Sequence, residues 1–172
     1  MGVSGFILKN RDKYLVENMM DNIKFVIGKL NLNMTTYLYK NEDGSFRYAE
    51  IGIFDNIRLE LDEEDIGDED IDQGESFNFY VEPIEQEGID DKKFDWVSKG
   101  SKLYEVAFVE KIRNYNKRIV FKFIYEYLKL NPKDYFWAED DWVYTLEDME
   151  RLSKLPFDEN WCFQNPSITD NI

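Results

Sequence analysis

A chain of 172 residues that is 43% hydrophobic and 16% aromatic suits one domain and is too apolar to stay unfolded, which argues against two independent domains and against a disordered chain. Its 21 basic and 36 acidic side chains leave a net charge of −15, which disfavours binding duplex nucleic acid through phosphate-neutralising cations. Histidine is absent and Cys162 is the one cysteine, so serine–histidine and cysteine–histidine catalysis, histidine-ligated zinc, thiolate clusters and an internal disulfide are excluded by inventory.

The N-terminal run Met1-Gly-Val-Ser-Gly-Phe-Ile-Leu-Lys9 is too short in apolar residues for a secretory core, and Phe6 stands where a myristoylation signal needs Ser or Thr. With no run of 18 apolar residues, the expectation is a cytoplasmic protein without a membrane span. From Arg11 to Leu30, Leu15, Met19, Ile23, Val26, Ile27 and Leu30 recur at steps of three and four, which predicts an amphipathic helix. Thr35–Lys40, Phe46–Phe54 and Ile57–Asp62 read as a three-stranded antiparallel meander, turned first at Asn41-Glu42-Asp43-Gly44 and then at Asp55-Asn56.

Residues 62–75 are too acidic to bury themselves and read as a solvated loop. Phe77, Phe79 and Val81 then alternate with Asn78, Tyr80 and Glu82 as a strand stopped by Pro83. Residues 101–114 fit both a strand and a helix: Tyr104, Val106 and Phe108 have period two, while Leu103, Val106 and Ala107 share a helical face. Lys117–Leu130 carries a full helical stripe in Val120, Phe123, Ile124, Tyr127 and Leu128, ended by Asn131-Pro132. Tyr135–Trp137 and Trp142–Tyr144 predict a short aromatic hairpin with Glu139, Asp140 and Asp141 at its tip, and Thr145 with Asp148 predicts a capping box opening a helix to Leu155. Pro156–Pro166 reads as a clasp on the core, with Cys162 buried and inert between Trp161 and Phe163. The sum is an α+β fold, an antiparallel sheet of about four or more strands packed against two main helices, as a single domain over 1–172.

Charge is segregated along this chain. Residues 41–100 hold 5 basic and 20 acidic side chains and residues 135–172 hold 2 and 9, whereas residues 1–40 hold 6 and 3 and residues 101–134 hold 8 and 4. Clustered like charges repel, so they need water or a cationic partner. Asp68, Asp70 and Asp72 have the first spacings of a calcium loop, but Gln73 replaces its glycine and Phe79 its terminal carboxylate, so no metal or cofactor is expected. Glu139, Asp140 and Asp141 are adjacent, and adjacency is no sign of an acid–base pair, which works across a cleft. The expected partner-binding residues are Asp62, Glu63, Glu64, Asp65, Asp68, Glu69, Asp70 and Asp72 in the loop, and Trp137, Glu139, Asp140, Asp141 and Trp142 in the hairpin, where a carboxylate rim around aromatic anchors suits a lysine- or arginine-bearing surface.

The acidic strip 62–75 and the aromatic–acidic segment Tyr135–Tyr144 give the chain a general character that resembles the immunity proteins of bacterial polymorphic toxin systems. That resemblance implies a non-enzymatic protein that binds a basic cognate toxin and blocks it. Two other readings remain beside it: a nucleic-acid mimic that occupies a DNA-binding groove, and a carboxylate-dependent hydrolase with two acids converging in a cleft.

Overall fold

Apolar side chains at every second position of several segments, and at steps of three and four in two others, can all be buried if helices lie on one face of a sheet. The computed structural model describes residues 2–55, 74–84 and 88–167 and has this arrangement. Strands β1 (Val3–Asn10), β2 (Asn33–Lys40), β3 (Phe46–Phe54), β4 (Ser76–Val81), β5 (Leu103–Ile112) and β6 (Tyr135–Trp137) form one six-stranded antiparallel sheet, ordered β2-β3-β4-β5-β1-β6. Helix α1 (Val16–Lys29) connects β1 to β2, α2 (Lys117–Leu130) connects β5 to β6, and α3 (Leu146–Ser153) follows β6. Antiparallel pairing throughout makes β1 run parallel to β2, and β5 parallel to β6. Each of the first two helices is therefore a crossover that returns the chain to the end where its previous strand began.

The register assigns side chains to two faces. Ile53, Ile51 and Ala49 of β3 lie opposite Phe77, Phe79 and Val81 of β4; Val81 faces Ala107 of β5, Ala107 faces Ile7 of β1, and Ile7 faces Phe136 of β6. All are buried, in one cluster with Met19, Ile23, Val26 and Ile27 of α1 and Val120, Phe123, Ile124, Tyr127 and Leu128 of α2. Phe123 meets Phe77 edge-on at 5.4 Å between ring centroids and tilts against Phe79 at 5.2 Å, which seats α2 over β4. Gly5 lets β1 pass beneath Phe136: a Cβ there would sit 2.2 Å from the ring.

Most of the expected elements are present. Helix α2 spans the expected residues, and α1 begins later than Arg11 because Arg11–Lys13 form a 3-10 turn capped by the Asn10 side chain. Thr145 and Asp148 exchange both hydrogen bonds of a capping box, opening α3. Segment 101–114 resolves as strand β5. The proposed third strand of the meander, Ile57–Asp62, lies outside the described residues, and the place beside β3 is filled by β4. The N-terminal strand β1 was not expected, and it lies inside the sheet between β5 and the edge strand β6. Trp161 and Cys162 of the C-terminal segment are buried, and the Trp161 indole N–H donates to the Lys117 carbonyl at 3.0 Å. Burial pushes the Cys162 thiol up to about 11. Among the described residues, no helix is long and apolar enough to cross a membrane.

Candidate functional site on the open face of the sheet

Side chains that alternate with the covered set point away from the helices, and on this chain many of them are aromatic. Tyr80 of β4 faces Phe108 of β5, Phe108 faces Phe6 of β1, and Phe6 faces Trp137 of β6. The rings form a continuous row. Tyr80 and Phe108 stack at 4.8 Å, Phe108 and Phe6 approach to 5.7 Å, and Phe6 and Trp137 to 5.5 Å. Each of the four is half-buried. On the same face, Tyr39 of β2 stacks on Tyr48 of β3 at 4.3 Å, and Tyr37 is 59% exposed opposite Glu50. A segment from Asp91 to Lys102 covers only part of this surface: Phe94 packs edge-on against Trp137 at 5.2 Å and, with Leu103, closes over Leu8.

Carboxylates lie at both ends of the row. The Tyr80 hydroxyl is 3.3 Å from Glu50 Oε1 and 3.3 Å from Glu110 Oε2, and its single proton serves one of them at a time. Desolvation, then the charges of Glu110 and Glu50, push the phenol up to about 12. The neighbouring Lys111 stands 3.9 Å from Glu110, while Glu105 of the same face is bound by Lys93 at 2.8 Å. At the other end, Phe136 and Tyr144 exchange backbone hydrogen bonds of 3.0 and 2.8 Å, which builds the expected hairpin. The Trp137 indole N–H donates to the Asp140 carbonyl at 2.7 Å and ties the tip to the row. Glu139, Asp140 and Asp141 are all exposed there, and Glu139 takes a positive φ of 59° at the turn.

Of the residues expected to bind a partner, the structure brings together Trp137, Glu139, Asp140 and Asp141. Trp142 sits apart from them: it packs against the helix-side core, while Trp137 belongs to the cluster on the opposite face. The reason is the hairpin's pleat, which puts Phe136 and Tyr144 toward the helices and sends Trp137 the other way. The loop residues Asp62, Glu63, Glu64, Asp65, Asp68, Glu69, Asp70 and Asp72 lie outside the described residues. Phe6, Glu50, Tyr80, Phe108 and Glu110 were not singled out from the sequence. One sign was legible, since the alternation around Phe79 already places Tyr80, a large ring, on the outward side of its strand.

A second polar cluster lies where β1 ends. Lys9 Nζ contacts both Asp134 carboxylate oxygens, at 3.1 and 3.2 Å, and the Tyr127 hydroxyl donates to Asp134 Oδ2 at 2.7 Å. Burial raises the Asp134 carboxyl from its ordinary 3.8, and the Lys9 ammonium and the Tyr127 hydroxyl pull it back in part. This is one carboxylate with one cation, not two acids converging in a cleft. Among the described residues no three acidic or cysteine side chains gather as a metal site. A scan against protein-family models, a search of curated proteins and a search of solved structures each return no match.

Proposed function

We propose that this chain is a non-enzymatic binding protein that docks a basic protein partner on the open face of its sheet, in the manner of an immunity or inhibitor protein that neutralises a cationic toxin. The observation that carries the reading is the aromatic row Tyr80–Phe108–Phe6–Trp137 with Glu50 and Glu110 at one end and Glu139, Asp140 and Asp141 at the other. Half-buried rings offer large contact area at little entropic cost, and lysine or arginine side chains gain both from ring faces and from carboxylates beside them. A net charge of −15 adds long-range attraction that speeds encounter with a basic surface and fades with salt.

The test starts from affinity capture out of the source cells, using the wild type and a Phe108→Glu, Trp137→Ala double variant, and continues with the purified captured protein. The expected result is a one-to-one complex with a strongly basic protein whose association rate falls steeply with added salt and whose affinity falls at least about tenfold for the double variant. Equal binding by both forms, or partners that are neutral or acidic, would overturn the assignment. Displacement of the partner by duplex DNA of unrelated sequence would point instead to mimicry of nucleic acid.

A further inference from the structure

The two mildly basic stretches of the sequence, residues 1–40 and 101–134, meet at the end of the sheet where β1 finishes and β5 and β6 begin. A cavity of about 640 Å³ opens there, within the range of small-molecule sites. Its charged lining is Lys9 and Lys13 from the first stretch, Lys133 from the second, and one carboxylate, Asp134. In a chain with 36 acidic and 21 basic side chains, that ratio is the reverse of the average.

The carboxylate is already engaged. Asp134 is held by Lys9 and Tyr127, and Lys9 also donates to Asn131 Oδ1 at 3.2 Å, so this network forms a fixed, nearly neutral wall. Lys13 and Lys133 have no ion-pair partner among the described residues. Ser98 and Ser101 line the same cavity with their hydroxyl oxygens 2.5 Å apart; one hydroxyl donates to the other, and the O–H of the second has no acceptor among the described residues. Two ammonium groups and a hydroxyl supply donors to an oxyanion, and Leu103, Pro132 and Tyr135 supply an apolar wall for an organic body.

We infer that this cavity binds a phosphate monoester of a small organic molecule: the doubly ionised phosphate matches Lys13 and Lys133, and the ester group fills space that free phosphate would leave empty. The cavity shares none of the four rings of the aromatic row and none of the carboxylates at its ends, and it does not depend on the partner-binding reading. Phenyl phosphate, inorganic phosphate and phenol serve as probes at fixed ionic strength, followed by amide chemical shifts and calorimetry on the full chain. Phenyl phosphate is expected to saturate, with shifts confined to residues 9–13, 98–103 and 131–135, and to bind more tightly than either fragment. Lys13→Gln with Lys133→Gln should weaken it by about tenfold or more, with an unchanged thermal midpoint, while Lys24→Gln with Lys40→Gln, the same charge change elsewhere, leaves it alone. No saturable shift, equal affinity for inorganic phosphate, or an equal loss in the two double variants would each overturn the assignment.

Discussion

The two faces of the sheet carry similar side chains and treat them differently. On the covered face Phe77, Phe79, Phe123 and Phe136 are at most 5% exposed and meet their neighbours edge-on or tilted, filling the space between sheet and helices. On the open face Tyr80, Phe108, Phe6 and Trp137 keep part of each ring in water and lie side by side across four strands. Strand alternation alone does not distinguish the two. What separates them is that both crossover helices pack on one side, so the same pleat makes a core on that side and a surface on the other.

Truncation separates the two faces most sharply. Phe123→Ala should cost about 3–5 kcal/mol of unfolding free energy, as removal of a fully buried ring does, and urea denaturation will measure it. Gly5→Ala tests the covered face from the opposite direction: the added methyl collides with Phe136, and a loss of about 1–3 kcal/mol is expected from overpacking. Phe108→Ala should cost only about 1 kcal/mol, since it loses ring contacts without opening a closed cavity. A Phe108 loss as large as that of Phe123 would mean that the open face is part of the core.

The smallest effects separate two carboxylates on the helix side. Asp134 is raised by burial against one cation, so the native state holds a proton that the unfolded chain releases; the stability this gives is complete below 3.8 and is lost as pH rises through the higher native value. Burial acts on Glu126 too, but Lys129 at 2.7 Å and Lys29 at 2.6 Å hold its carboxyl below the usual 4.5; its contribution is present above 4.5 and is lost as pH falls. Urea midpoints between about pH 3 and 6 should therefore show the gap between wild type and Asp134→Asn narrowing with rising pH, and the gap to Glu126→Gln widening. Parallel curves would remove the distinction.

The helices were legible because their stripes are regular, and α2 was readable to its ends. Strand β5 was ambiguous for a physical reason. Its pairing with β1 shifts register twice, and near one shift the consecutive residues Val106 and Ala107 are both buried toward the helices, which breaks period two and imitates a helical face. Strand β1 escaped notice because Ile7 and Leu8 are both fully buried, one under the helices and one under the Phe94 segment, so the alternation that marks a half-exposed strand is missing. The hairpin tip and Trp137 were readable as an aromatic–acidic unit, but the rest of the row was not. Phe6, Tyr80 and Phe108 come from three strands far apart in the chain, and only the register of the sheet makes them neighbours.

The placement of β1 also sets a timetable for synthesis. Ile7 pairs with Ala107, and Phe6 lies between Phe108 and Trp137, so β1, once made, must wait for about a hundred more residues before its neighbours exist. At roughly 5–20 residues per second this wait lasts about 5–20 s, during which Phe6, Ile7 and Leu8 are open to any nascent or chaperone surface that reaches them first. A strand made before α1 therefore finds its place only after β5 and β6, and the fold closes when the growing chain returns to it.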